Sequence, residues 1–290
     1  MQKTTNNHIV FILSFGRPDN IKTLKTLEKS KYKGDYRIIC SDDDQKLPEY
    51  KKLHGDKVCV FNKDEVSQDF DTGDNQPDQR TVIFARNACW NIAKEIGYKY
   101  FIQLDDDYTS FNYRVNSNGK YQTKNTRIKD INIFFAMLLK FYKKTNALSV
   151  CMAQAGDFVG GENCSVFTKG LARKAMNSFV CSTDRPFKFM GRVNEDVNTY
   201  VNLGHRGLLF FTVCEFALTQ ELTQSSKGGM SEMYSLEGTY VKSFYSVMYN
   251  PSSVKVGMMG AKNPRLHHKV NWNKSVPKIL HPKYKTGSQK

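Results

Sequence analysis

The chain has 290 residues, of which 40% are hydrophobic and 12% aromatic, and its formal net charge is +15. A chain of this length and composition buries a substantial core, which excludes a disordered protein. No stretch approaches the roughly 18 consecutive apolar residues that cross a bilayer, so no membrane partner is predicted. Seven cysteines at irregular spacing, and a start (MQKTTNNH) without the order of a signal peptide, favour a reduced, cytoplasmic protein.

Predicted strands and helices alternate along most of the chain. The first strand, HIVFILS, is apolar throughout, as are strands that are buried on both faces of a parallel sheet. The turn FGRPD follows it, and then Ile21, Leu24 and Leu27 recur at helical spacing. This alternation predicts an α/β fold with a mainly parallel, twisted sheet flanked by helices. Further strands are predicted at residues 36–40, 58–61, 98–104, 147–153 and 208–213, and helices at 81–96 and 130–144.

Two acidic clusters stand directly after predicted strands, at residues 42–44 and 105–107. Ligands of α/β sheets bind beyond the carboxyl ends of strands, so both clusters are candidate site residues. On an extended segment Asp105 and Asp107 point to one side and Asp106 to the other. A carboxylate pair suits Mn²⁺ or Mg²⁺, which also binds ligand phosphates. The alternative is a solvated acidic turn, and the position after a buried strand favours the metal site.

Arg86 and the pair Glu195 and Asp196 are the next candidates. Arg86 lies on the helix before the aspartate strand, where it pairs with Asp105 or a phosphate, or else is an exposed helical arginine. Glu195 and Asp196 begin a predicted short helix, and the helix dipole is a sufficient structural reason for them. A carboxylate at that position is also suited to act as a general base on an acceptor hydroxyl.

The C-terminal part of the chain is strongly basic. From Gly238 to the end there are ten Lys or Arg residues and no Asp or Glu. Such a segment attracts polyanions, of which nucleic acid is the commonest, or it is a solubilising surface. Within it, His267 and His268 are either surface imidazoles or the source of one metal ligand. Lys227, in the glycine-rich segment SSKGGM, can close over phosphates, although the spacing is not that of a P-loop.

The order of these motifs resembles that of GT-A-type glycosyltransferases. FILSFGRP, an acidic second strand end, ARNACWNIA, a strand running into DDD, NED and a late histidine follow one another over residues 8–270. With SSKGGM and RLHHKVNW, the chain more closely resembles the TET-associated glycosyltransferases. Those enzymes, found mostly in phages and related to the base J glucosyltransferase, are thought to place sugars on hydroxymethylated pyrimidines in DNA.

The resemblance implies roles for the residues of the donor site. Asp107 would bind the Mn²⁺ or Mg²⁺ ion that bridges the two phosphates of a nucleotide sugar, with a UDP-sugar as the expected donor. Asp105 would bind the ribose or sugar and assist with the metal, and His267 or His268 would supply a further ligand. The nucleotide pocket would be lined by Arg17, Asp43 and Arg86.

On the acceptor side, Asp196 would be the base of an inverting, single-displacement transfer. Glu195 would orient the acceptor or substitute for Asp196, and Lys227 would stabilise the departing diphosphate. The acceptor would be DNA that contains hydroxymethylated pyrimidines. An inverting outcome depends on NED alone, so a retaining outcome stays open.

The resemblance also implies a Rossmann-like single domain at residues 1–270 and a basic tail at 271–290. The nucleotide-sugar half would be residues 1–110 and the acceptor half residues 111–270. A monomer is expected. Two alternatives remain at this stage: a glycosyltransferase whose acceptor is a glycan or protein, and an inactive scaffold that binds nucleic acid.

Overall fold

In the structure of the protein, a computed structural model, the described residues are 8–74, 81–154, 163, 175, 177–221, 241–259, 264–275 and 279, with the backbone alone at 123–125. The strands are β1 (His8–Leu13), β2 (Tyr36–Ser41), β3 (Val58–Phe61), β4 (Tyr100–Asp105), β5 (Tyr108–Val115), β6 (Tyr121–Arg127), β7 (Ser149–Gln154), β8 (Ser178–Ser182), β9 (Phe210–Gln220), β10 (Val254–Met259) and β11 (Arg265–Val270). The helices are α1 (Lys22–Lys29), α2 (Leu47–His54), α3 (Lys63–Ser67), α4 (Ile83–Glu95), α5 (Ile131–Lys144), α6 (Glu195–His205), α7 (residues 241–249) and α8 (Trp272–Ser275).

Nine of these strands form one sheet in the order β3-β2-β1-β4-β8-β7-β9-β5-β6. Strand β1 pairs in parallel with both β2 and β4, and β7 pairs in parallel with β9. Strand β8 is antiparallel to β4 and β7, and β5 is antiparallel to β9 and β6, so the other seven strands of this sheet share one direction. The predicted α/β fold with a mainly parallel sheet is confirmed. Strands β10 and β11 form a separate antiparallel pair.

The sheet is buried on both faces, which is why β1 is apolar at every position except His8. Side chains alternate between the faces of a strand. Ile9 and Phe11 accordingly pack into one core cluster with helix α4, whereas Val10 and Ile12 pack into a second cluster with α1 and α5. Covering both faces leaves the carboxyl edge of the parallel strands as the open part of the sheet, where the acidic clusters lie.

Helix α8 packs against α6 through stacked rings. Trp272 lies 5.7 Å from Tyr200, centroid to centroid, with an interplanar angle of 12°. A side-chain carbon added to Gly204 of α6 would come within 2.6 Å of the Ser275 carbonyl oxygen, so glycine allows the close approach of α8. In the described part of the chain, no helix combines the length and the apolar character needed to cross a membrane.

Candidate active site

The three aspartates lie in the tight connection between β4 and β5. Strand β4 ends at Asp105 and β5 begins at Tyr108, so Asp106 and Asp107 are the only connecting residues. The parallel register pairs Leu13 of β1 with Asp105. The aspartate turn therefore lies beside the FGRPD turn that follows β1, at the carboxyl edge of the sheet.

Asp106 points toward the β1 turn and holds it in place. Its Oδ2 accepts a hydrogen bond of 2.6 Å from Ser14 Oγ, and its Oδ1 lies 3.3 Å from Arg17 Nη2. Tyr50 supports the same turn, because its hydroxyl oxygen lies 2.6 Å from Ser14 Oγ and accepts a 2.9 Å bond from the Arg17 N–H. Asp106 thus serves the structure of the turn.

Arg86 joins Asp105 to Glu195. Its Nη2 donates to Asp105 Oδ1 at 2.9 Å and its Nε donates to Glu195 Oε1 at 2.8 Å. The Arg86 side chain is only 2% exposed, and its guanidinium contacts the edge-to-face pair of Phe179 and Phe189, at 5.2 and 5.6 Å from their centroids. Arg86, from the ARNACWNIA helix, thus brings Asp105 at the end of β4 and the first carboxylate of NED into one site.

Burial and the arginine charge act in opposite directions on the two carboxyl groups. Desolvation raises the pKa of Asp105 and of Glu195, and the Arg86 charge opposes that rise in each case. The Arg86 charge therefore favours the ionised form of both partly buried carboxyl groups. Its Nη1 is buried and has no hydrogen-bond partner among the described residues.

Asp107 has the surroundings expected of a metal ligand. Burial, together with the charges of Asp105 and Asp106, raises the pKa of Asp107 to about 7. Its Oδ1 is buried and accepts no hydrogen bond from the described residues. An anionic oxygen in this position gains most from a divalent cation, which favours the ionised carboxylate. The residues present therefore fit Mn²⁺ or Mg²⁺.

Asn194 connects NED to the C-terminal part of the chain. It precedes α6 with a left-handed φ of 55°, a conformation that asparagine tolerates better than most residues. Its Nδ2 donates to the Lys242 carbonyl at 2.6 Å and lies 3.4 Å from His268 Nδ1. Asp196, the second residue of α6, is buried and accepts a 2.7 Å bond from the Val197 N–H at Oδ1.

The two predicted histidines lie on opposite faces of the β10–β11 pair. His268 faces Val256 in the register and reaches Asn194, whereas His267 faces Gly257 on the other side. Among the described residues, no three His, Cys, Asp or Glu side chains lie close enough together to hold a metal. The predicted set of Asp105, Asp107 and a late histidine is thus not assembled as a ligand cluster in that part of the chain.

The acidic cluster after β2 is bonded mainly to the protein. Asp43 pairs with Lys63 Nζ at 2.5 Å, and Asp44 accepts hydrogen bonds from the Gly16 N–H at 2.7 Å and the Lys46 N–H at 2.8 Å. Asp44 therefore fixes the FGRPD turn from a second side. Asp43 and Arg17 lie at the same edge of the sheet as the aspartate turn. Lys227 lies outside the described residues.

Sequence reasoning missed the partners that hold these groups. Phe179 and Phe189 contact Arg86, Ser14 donates to Asp106 and Tyr50 bonds to Ser14, yet none of the four has a local sequence signal for such a role. They come from four separate segments, so only the tertiary structure brings them to the site.

The sequence profile of the TET-associated glycosyltransferase family matches residues 8–229. The chain belongs to this family. The match contains the aspartate turn, Arg86 and NED, and it ends before α7 and the β10–β11 pair. The family predicted from the motifs and the predicted class of enzyme, a glycosyltransferase, are confirmed.

Solved structures similar to this member of the family are distant from it. Glucosyl-3-phosphoglycerate synthase from Mycobacterium tuberculosis, in complex with Mg²⁺ and UDP, is 9% identical with a TM-score of 0.45, over 91% of this chain and 87% of that one. The same enzyme with Mn²⁺, UDP-glucose and phosphoglyceric acid is 10% identical with a TM-score of 0.43, over 92% and 90%. At these scores no residue role transfers. Among curated proteins, none matches the chain.

Proposed function

We propose that this glycosyltransferase moves a sugar from a UDP-sugar to the hydroxyl group of a hydroxymethylated pyrimidine in DNA, with Mn²⁺ or Mg²⁺ and with inversion at the anomeric carbon. Family membership carries the sugar transfer itself. The donor, the metal, the acceptor and the residue roles are argued from the chemistry of the site.

On the donor side, Asp107 and Asp105 are the residues that would hold the ion. Asp107 offers a buried oxygen that accepts no hydrogen bond from the part of the chain that the structure describes, and Asp105 is held in place by Arg86. A divalent ion bound there supplies charge neutralisation for the diphosphate of the donor. Arg17 and Asp43, at the same edge of the sheet, are proposed to line the nucleotide pocket. Lys227 is proposed to contact the departing diphosphate.

On the acceptor side, Asp196 is proposed as the base. It takes the proton of the acceptor hydroxyl as that oxygen attacks the anomeric carbon, and the bond from this carbon to the diphosphate oxygen breaks in the same step. Glu195 orients the acceptor. Because Arg86 is bonded to both Asp105 and Glu195, it keeps the donor carboxylates and the acceptor motif at a fixed separation.

DNA as the acceptor is supported by charge. The acid-free segment from Gly238 to the C-terminus contributes ten cations, and a duplex acceptor requires phosphate contacts to position it. His267 or His268 remains the proposed C-terminal metal ligand, and only His268 lies on the face that reaches NED. A glycan or protein acceptor has no comparable need for this positive charge.

The observation that most supports the proposal is the pairing of Arg86 with both Asp105 and Glu195 in a chain of this family. The test is to incubate the protein with Mn²⁺, a panel of UDP-sugars and DNA containing hydroxymethylcytosine or hydroxymethyluracil. The DNA is then digested and the molecular masses of its nucleosides are measured. We expect a mass increment of one sugar that disappears in Asp107→Asn. Asp56→Asn, which changes an exposed carboxylate far along the chain from the site, is the matched control and should retain the increment.

Three results separate the candidate functions. A sugar increment on DNA that depends on Asp107 supports the proposal. UDP release that occurs only with a glycan or protein acceptor would replace DNA by that acceptor. Salt-sensitive binding of DNA without any transfer, for every donor and both bases, would indicate an inactive scaffold that binds nucleic acid.

A further inference from the structure

The β10–β11 pair is a two-stranded ribbon with two chemically different faces. Side chains alternate along each strand, and directly opposite residues share a face. The pairing register of the ribbon therefore sorts its residues into an inward and an outward set. The inward face carries Val254, Val256, Met258, Leu266, His268 and Val270, and the outward face carries Lys255, Gly257, Met259, Arg265, His267 and Lys269.

The inward face anchors the ribbon to the acceptor side of the site. Val254 is 1% exposed and His268 is 9% exposed, with His268 Nδ1 3.4 Å from Asn194 Nδ2. The base of the ribbon is closed by a 2.7 Å bond from the Asn271 N–H to the Ser253 carbonyl. Toward the tip the same face becomes open, since Met258 is 53% exposed. The ribbon thus extends from the NED motif into solvent.

The outward face is cationic. Lys255 and Lys269 stand directly opposite each other and both are exposed, as is Arg265. Like charges opposite each other destabilise a strand pair, and no acidic residue follows Gly238 to offset them. Gly257 makes room for this arrangement, because an added side-chain carbon would come within 2.9 Å of the Lys269 stem. An anionic partner is what compensates such a face.

We propose that the outward face of the ribbon docks on the phosphates of duplex DNA, with the ribbon along the major groove. This rests on the proposed function. A two-stranded ribbon fits the roughly 12 Å width of that groove, and the groove is where a substituent on pyrimidine C5 projects. Lys255, Arg265 and Lys269 contact the phosphates, and the contact of the inward face with Asn194 fixes the position of the ribbon, and with it that of the docked duplex, relative to the acceptor side of the site. The ribbon lies beyond the family match, which ends at residue 229.

Salt dependence of DNA binding tests the ribbon. Each phosphate contact contributes about 0.9 to the slope of log affinity against log salt, so three contacts contribute about 2.7. The triple variant Lys255→Gln, Arg265→Gln, Lys269→Gln should lose that part of the slope. Between about 50 and 200 mM salt, the affinity of the unmodified protein for a hydroxymethylcytosine duplex should fall about 40-fold more than that of the variant. Fluorescence anisotropy of a labelled duplex measures the affinity of each of the two proteins at each salt concentration.

The matched control removes three exposed cations elsewhere. Lys29→Gln, Lys51→Gln and Lys52→Gln, on α1 and α2, leave the same net charge as the ribbon variant and should retain the slope of the unmodified protein. An equal loss of slope in both variants would overturn the ribbon proposal, because bulk charge would then explain the binding.

A charge-conserving variant tests whether a change in slope comes from misfolding of the ribbon and not from the lost charge. Lys255→Arg, Arg265→Lys, Lys269→Arg should bind with the slope of the unmodified protein. If the unmodified protein glycosylates DNA and the Gln variant keeps its slope, the ribbon proposal fails and the proposed function stands. If binding depends on the ribbon but no sugar reaches DNA, the ribbon proposal stands and the proposed function fails. Absence of salt-dependent binding by the unmodified protein would overturn the ribbon proposal as well.

Discussion

Replacing Arg86 by methionine removes the guanidinium group that is hydrogen-bonded to both Asp105 and Glu195. Methionine has a similar length and can pack against Phe179 and Phe189 without a charge. The substitution leaves Asp105 and Glu195 without the charged hydrogen bonds of 2.9 and 2.8 Å that they accept. Both carboxyl groups are then partly buried without their shared cation.

The expected loss of stability is large. Breaking a buried ion pair by removing one partner costs about 3–5 kcal/mol, because the remaining charge stays desolvated. For a chain of this size each kcal/mol lowers Tm by roughly 2 °C, so Arg86→Met should lower Tm by about 6–10 °C at neutral pH. Lys188→Met is the matched control, since Lys188 pairs with Asp69 at 2.7 Å with both side chains about half exposed. An exposed pair of this kind contributes about 0–1 kcal/mol.

The loss should depend on pH, and its sign follows from the pKa values. Desolvation already raises the pKa of Asp105 and of Glu195, and removing Arg86 raises both further because its charge opposed the rise. A carboxyl group whose pKa is higher in the folded than in the unfolded protein stabilises the fold when protonated, and that stability is lost as pH rises above the ordinary carboxyl range. Arg86→Met should therefore be closest to the unmodified protein near pH 4 and furthest from it at pH 8.

The test is thermal unfolding of the unmodified protein, Arg86→Met and Lys188→Met from pH 4 to pH 8. Glu195→Gln added to Arg86→Met should recover part of the loss at pH 8, because it removes one uncompensated charge. A Tm difference that is the same at every pH, or no larger than that of Lys188→Met, would refute the assignment of Arg86 as the cation that holds Asp105 and Glu195 ionised.

Three further predictions concern metal binding, the base and the start of α6. Burial raises the pKa of Asp107 to about 7, so Mn²⁺ affinity measured by calorimetry should rise up to about tenfold per pH unit below pH 7 and level off above it. Asp107→Asn should abolish this binding; a flat pH profile would contradict the role. Asp196→Asn should lower kcat by about 10²–10⁴-fold in the DNA transfer assay, and an unchanged kcat, with a loss instead in Glu195→Gln, would move the base to Glu195. Asn194→Gly should be about 1 kcal/mol more stable than Asn194→Ala in urea unfolding, because both lose the bond to the Lys242 carbonyl but only alanine is strained at a φ of 55°; equal stabilities would argue against that strain.

The parallel half of the sheet was predictable from local sequence. The strands that became β1, β2, β3 and β4 were each predicted within a few residues of their observed bounds, and α4 and α5 were predicted from apolar spacing. These segments are buried by helices on one or both faces, so burial leaves a pattern in the chain itself. Strands β5 and β6 were missed because polar and aromatic residues are mixed in them without a clear period, and β8 was missed because its apolar run, from Phe179 to Cys181, is very short.

The sequence alone determined the chemistry that this chain offers: three aspartates at the end of a strand, an arginine before them, NED after them, and a C-terminal part with ten cations and no acid. It also predicted the family. It could not decide which side chains meet. Asp106 turned to Ser14 and Arg17, Arg86 bonded to both Asp105 and Glu195, and His268 rather than His267 facing Asn194 are consequences of packing between segments far apart in the chain. Residue spacing encodes local direction, whereas contacts across 109 residues, as between Arg86 and Glu195, exist only once the sheet and its helices are assembled.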